Sequence, residues 1–150
     1  MAFLNEAPQR GSGLEQLQRM LERDQRPGMA RTLGVRLVEV REGEVTVEGL
    51  PGEEHYNPLG AVQGGYAATL LDFACGYATL SLLPEGTAFG TLELKVSYHR
   101  PLTAATGAVR ATAKILTLGR RTAFAEARLV DGEGRLYASA SSTLLITGGG

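Results

Sequence analysis

Hydrophobic and polar positions along the chain recur at two intervals, one helical and one strand-like. In GLEQLQRMLERDQ, Leu14, Leu17, Met20 and Leu21 share one side of a helix with charges between them. This predicts a short amphipathic helix ending before Pro27 and Gly28. Its apolar stripe needs a sheet edge or a partner to cover it. VRLVEV and VTVEGL alternate instead, and with REGE between them they read as a hairpin. PGEEHYNPLGAVQGG, rich in Gly and Pro, is loop. Residues 67–83 form the longest weakly polar run and predict a buried helix that stops near PEG, Pro84 to Gly86.

Beyond residue 90 the alternation takes over. TLELKVSY sends Leu92, Leu94, Val96 and Tyr98 to one face and Thr91, Glu93, Lys95 and Ser97 to the other. AVRATAKILTL, RTAFAEARLV and RLYASASSTLLI keep the same period, divided by GR and DGEG turns. Successive strands of this kind favour an antiparallel sheet with one apolar face, and the 67–83 helix is the only long apolar helix available to cover it. The expectation is an α+β fold: a curved antiparallel sheet wrapped around one central helix. Residues 1–30 would form an N-terminal helical segment, 31–147 the main domain, and 148–150, ending in Gly, a flexible tail.

Composition narrows the function classes. The chain has 150 residues, one domain's worth, and 15 basic against 16 acidic residues leave a net charge of -1. No global field draws it to nucleic acid or an anionic membrane, so any anionic ligand needs a local basic patch. The run 67–83, interrupted by Asp72 and Gly76, is a poor membrane span. Cys75 is the single cysteine, which removes an intrachain disulfide and a multi-cysteine metal site and suits a cytoplasmic setting.

The candidate chemistry lies in AVQGGYAATLLD. A carboxylate inside an apolar helix is costly unless it is paired or reached by water. Eight residues before Asp72, Gly64 and Gly65 stand where the helix begins. The first N–H groups of a helix have no internal partner, and glycine lets a ligand approach them closely. Such a helix start can hold a carbonyl oxygen as it becomes an oxyanion. Eight residues of helix rise about 12 Å, so Gly64 and Asp72 of one chain cannot both touch one carbonyl carbon. If both act on one substrate they come from different chains, as across the two-fold axis of a homodimer.

HYNPLGAVQGGYAATLLDFACGYA, GTLELKVSYHRP and GRRTAFAEARLVDGEGRLYASASSTLLI together resemble the hotdog-fold acyl-CoA thioesterases, in the PaaI-type branch near 4-hydroxybenzoyl-CoA thioesterase. The resemblance covers roughly residues 30–147. It implies the hotdog fold, dimers pairing their sheets edge to edge, dimer-of-dimers tetramers in many members, and thioester hydrolysis between protomers. It implies acyl-CoA as substrate, with no cofactor beyond the coenzyme A of the substrate itself, and no metal. By position, Asp72 matches the catalytic carboxylate, acting as nucleophile or as general base. Gly64 matches the residue whose backbone N–H polarises the thioester carbonyl. Asn57 falls where the family has an Asn or Gln near that carbonyl or the attacking water, and Thr91 where a Ser or Thr holds the water or the carboxylate. Gln63 stands where many members have His, and it cannot titrate near neutral pH.

Other candidates are substrate contacts. Gly65 and Gln63 flank the helix start, His55 precedes Asn-Pro in the loop, and Arg120 and Arg121 in LGRRT have the fork geometry that suits phosphates of coenzyme A. His99, at a strand end, and Cys75, in the helix, read as structural. No GxSxG elbow is present. The leading reading is an acyl-CoA thioesterase. Its rivals are a hotdog enoyl-thioester hydratase or dehydratase, for which Gln63 leaves no obvious histidine, and a non-catalytic acyl-CoA binding protein.

Overall fold

The structure, a computed structural model, describes residues 10–149. Helix α1 (Gly13–Glu22) opens with a capping box in which the Ser12 hydroxyl accepts from the Glu15 N–H and the Glu15 carboxylate accepts from the Ser12 N–H. Its apolar stripe buries Leu17 and Met20. A four-residue helix, α2 (Met29–Thr32), follows. Then come β1 (Arg36–Arg41), β2 (Glu44–Gly49), the long helix α3 (Gly64–Leu80), β3 (Thr87–Tyr98), β4 (Val109–Leu118), β5 (Thr122–Asp131) and β6 (Leu136–Gly148).

The six strands form one sheet in the order β1-β2-β4-β5-β6-β3, with every neighbouring pair antiparallel. α3 lies in its concave face, burying Leu70, Leu71, Ala74, Cys75 and Ala78 completely. The sheet meets it with methyl groups: Ala111 and Ala113 of β4 and Ala123, Ala125 and Ala127 of β5 point inward and are buried. Small side chains at these central positions let the helix settle close to the strands. The α+β expectation of a curved antiparallel sheet around one central helix is met.

The long helix runs 64–80, three residues earlier at each end than the hydropathy run 67–83. Gly64 and Gly65 are its first two residues, and Ser81 caps it. α1 is fastened to this C-terminal end. The Gly13 N–H donates to the Leu83 carbonyl at 2.9 Å, and a Cβ at position 13 would collide with the Leu80 carbonyl. Of the expected segment 1–30, residues 1–9 lie outside the described residues, as does Gly150. Gly148, assigned above to a tail, is the last residue of β6 and pairs with Thr87.

The two sheet edges differ. β1 is covered by α1, whereas β3, twelve residues long, has β6 on one side and no neighbour among the described residues on the other. A long strand with one open edge is a template for pairing with another chain.

Candidate active site

Strict alternation along TLELKVSY would set Thr91 on the outer face with Glu93, Lys95 and Ser97. A β-bulge corrects that assignment: the pairing shifts register between Thr91 and Glu93. Thr91 opposes the fully buried Leu144, while Leu94 opposes the buried Ser142. Thr91 therefore shares the inner face with Leu94, Val96 and Tyr98. Leu92 is the extra residue and stands 59% exposed. The bulge brings Thr91 to α3, where its hydroxyl donates to Asp72 Oδ1 at 2.9 Å. The other carboxylate oxygen, Oδ2, has no partner among the described residues.

Asp72 is half-buried beside a cleft of about 450 Å3. Phe73, Tyr77 and Phe89 supply aromatic walls, with Met29 from α2 at its border. The Phe73 and Tyr77 rings are tilted at 43° with centroids 5.6 Å apart. Phe89 sits against Gly76, where a Cβ would come within 2.7 Å of its ring. Cys75, one turn from Asp72, is fully buried. Burial, and secondarily the Asp72 charge, push its thiol up to about 12, so it stays protonated and serves packing.

A second cleft, of about 330 Å3, lies at the start of the same helix and is bordered by Gln63, Gly64, Tyr98, His99 and Arg100. The loop before it is folded by short-range bonds and tied to the segment after β3, where the Val62 N–H donates to the Leu102 carbonyl and the Ala104 N–H to the Tyr56 hydroxyl. Tyr56 and Val62 form an isolated antiparallel bridge, and the Gln63 N–H donates to the His55 carbonyl at 2.8 Å. Asn57 builds this loop: its side-chain oxygen accepts from the N–H groups of Leu59 and Ala61, at 2.9 and 3.3 Å. Its carbonyl oxygen is therefore engaged, and only its NH2 is available to a ligand. His55 is packed, its side chain 9% exposed. Its Nδ1 accepts from the Gly52 N–H, and its ring lies 4.4 Å from that of Tyr66. Burial, reinforced by the nearby Glu54 charge, pushes the Tyr66 phenol up to about 12.

The helix start itself is uncapped. Gln63 occupies the N-cap position without a side-chain capping bond, and the N–H groups of Gly64 and Gly65 have no acceptor among the described residues. They form a fixed pair of donors at the positive end of the helix dipole.

The sequence-derived site residues thus fall into separate places. Asp72 and Thr91 meet in one cleft, Gln63, Gly64 and Gly65 sit at the helix start, and Asn57 and His55 shape the loop before it. Arg120 and Arg121, exposed in the β4–β5 turn, border neither cleft. Met29, Tyr98 and Arg100 were missed. Tyr98 and Arg100 had a readable signal in SYHRP, where a strand face and a proline stop place them beside the loop. Met29 had none. Among the described residues no group of three or more His, Cys, Asp or Glu side chains could hold a metal, and no helix is long and apolar enough to cross a membrane.

Comparison with known proteins gives concordant results. The sequence profile described as the thioesterase superfamily matches residues 59–138. A candidate esterase of Halobacterium salinarum is 37% identical over 109 residues, covering 69% of this chain and 70% of its own. The 1,4-dihydroxy-2-naphthoyl-CoA hydrolase of Listeria monocytogenes is 26% identical over 120 residues, 79% of this chain and 95% of that protein. The PaaI protein of the Escherichia coli phenylacetic acid degradation operon superposes with a TM-score of 0.79 at 22% identity, covering 91% and 95% of the two chains. At that identity the likeness is one of fold, and it agrees with the hotdog architecture expected from the sequence.

Proposed function

The chain belongs to the thioesterase superfamily, and from that premise we propose that this thioester hydrolase acts on acyl-CoA through a site completed by a second copy of the chain. The observation that carries the proposal is a separation. The only carboxylate lining the aromatic cleft among the described residues, Asp72, and the unfilled amides of Gly64 and Gly65 stand about 12 Å apart along one helix, too far to serve one carbonyl carbon. Antiparallel pairing of two chains through the open β3 edges would set Asp72 of each helix toward Gly64 of the partner subunit. Dimerisation is thereby part of the chemistry.

The residues divide the work. Helix-start amides receive the thioester oxygen and stabilise the negative charge that develops there. Thr91 holds Oδ1 of Asp72, which leaves Oδ2 to act. As general base, Oδ2 takes a proton from water, whose oxygen adds to the carbonyl carbon. The C–S bond then breaks and coenzyme A leaves as thiolate, which receives the proton. As nucleophile, Oδ2 itself attacks, giving an acyl-aspartyl anhydride and the thiolate, and water then hydrolyses the anhydride. After single turnover in H2 18O, label in Asp72 would mark the anhydride route with water adding to the Asp72 carboxyl carbon, whereas trapping of an acyl-enzyme by hydroxylamine would reveal the anhydride whichever carbon water attacks. The related CoA hydrolase of Listeria supports coenzyme A as the thiol portion of the substrate.

The shared site is tested by mixing two variants. Asp72→Asn and Gly65→Phe are each expected to be inactive as homodimers in a thiol-release assay over an acyl-CoA panel. Their co-refolded mixture should regain about a quarter of wild-type activity, because each heterodimer holds one intact site. A mixture as inactive as its components would overturn the shared site.

A further inference from the structure

Tyr98 touches the helix start in a way that the reaction outlined above does not use. Its hydroxyl donates to the Gly64 carbonyl at 2.7 Å, although the side chain is 55% exposed and water could satisfy it. The ring lies so close to Gly64 that a Cβ there would fall 3.0 Å from the hydroxyl and 3.1 Å from the ring carbon bearing it. The Gly64 carbonyl and the Gly65 N–H belong to one peptide unit. A hydrogen bond accepted by that carbonyl draws electrons through the amide, makes the N–H a stronger donor, and fixes the plane in which it points.

Gly65 supplies an independent observation. A Cβ built on it meets nothing within 4 Å, so nothing in this chain excludes a side chain there. Glycine is nonetheless the poorer helix former than alanine, and its backbone here needs no left-handed angle. A glycine with free space around it, next to an N–H without an acceptor, keeps room for something from outside the chain. A side chain at Gly64 would crowd Tyr98, whereas nothing within this chain crowds one at Gly65.

We infer that Tyr98 is a positioning residue for thioester hydrolysis: by hydrogen-bonding the Gly64 carbonyl it orients and polarises the Gly64–Gly65 peptide, making the Gly65 N–H a second donor to the thioester oxygen beside that of Gly64. The inference rests on the thioesterase reading and adds to it a residue that never touches substrate. Its effect grows as charge develops on the oxygen, so it acts on kcat more than on KM.

The test uses Tyr98→Phe, which keeps the ring against Gly64 and removes only the hydroxyl, and Gly65→Ala, which adds a methyl to space that is open within the chain. Tyr98→Phe should lower kcat about three- to tenfold with KM unchanged, in a protein whose melting temperature confirms folding. In 15N-labelled protein the Gly65 amide nitrogen should move upfield, because its carbonyl partner has lost a hydrogen bond. Gly65→Ala should melt no lower than wild type yet lose at least about tenfold in kcat/KM. An unchanged kcat in Tyr98→Phe, a rise in KM alone, an unmoved Gly65 resonance, or a fully active Gly65→Ala would each overturn the inference. A wild-type protein that releases no thiol from any acyl-CoA would instead remove the thioesterase reading, so the two failures are told apart.

Discussion

The two clefts along α3 both meet β3, but they offer different groups. The one beside Asp72 comes from a long-range meeting: a side chain in mid-helix faces a threonine that a bulge has turned inward from an edge strand. The one at the helix start joins a loop that His55, Asn57 and Ala61 fold by short-range bonds to the end of β3 and the segment after it. The Val62 N–H donates to the Leu102 carbonyl and the Tyr98 hydroxyl to the Gly64 carbonyl, and two backbone amides are left without an acceptor among the described residues. The first offers a charged side chain in aromatic surroundings, and the second offers dipoles that no single side chain carries. The difference teaches where each is vulnerable. Side-chain chemistry can be removed by an isosteric change, while a backbone donor is reached only through the residues that aim it.

The sharpest way to break this comparison is at Asp72. Asp72→Asn keeps the shape and the Thr91 contact but removes both basicity and nucleophilicity. Loss of at least about a hundredfold in kcat is expected, with the fold and oligomeric state retained. Steady-state kinetics beside a melting curve check it, and full activity would take Asp72 out of the mechanism. A smaller effect is expected at Thr91→Val, which preserves volume and withdraws the hydrogen bond to Oδ1. kcat should fall about three- to tenfold while KM for a short acyl-CoA stays put. The smallest catalytic effect belongs to Asn57→Ala. It leaves the Leu59 and Ala61 N–H groups without their acceptor and should cost about 1–2 kcal/mol of stability, read by urea titration, with a loss of kcat/KM smaller than that of Thr91→Val. A loss of activity at Asn57 larger than at Thr91, with stability unchanged, would instead make its NH2 a direct substrate contact.

Much of the fold was legible because periodicity is a local property. Leu70, Leu71, Ala74 and Ala78 recur at helical spacing, Ala123, Ala125, Ala127 and Leu129 recur at two, and the sheet around one helix follows from covering the latter with the former. The bulge was not legible. One extra residue at Leu92 reverses the facing of everything before it, and no composition marks the place. The strand pattern alone therefore points Thr91 to solvent, and only the resemblance points it to the site. α2 was missed because four residues show no period. The loop chemistry was half legible. NPLG carries the signature of a turn, and the Asn57 oxygen makes its bonds, while nothing in the sequence tells that its NH2 is the part left for a ligand. Arg120 and Arg121 border neither cleft of this chain, since a charge pair in a turn says nothing about which end of the sheet the turn reaches.

Five alanines never touch the chemistry, yet they set its dimensions. Ala111, Ala113, Ala123, Ala125 and Ala127 form the bed on which α3 rests. A larger residue at any of them is expected to crowd α3 and strain the Asp72–Thr91 contact. The tolerance of the reaction is thus specified at a distance, by a row of methyl groups whose only duty is to stay thin, and engineering of this molecule should leave that bed alone before it touches anything nearer the substrate.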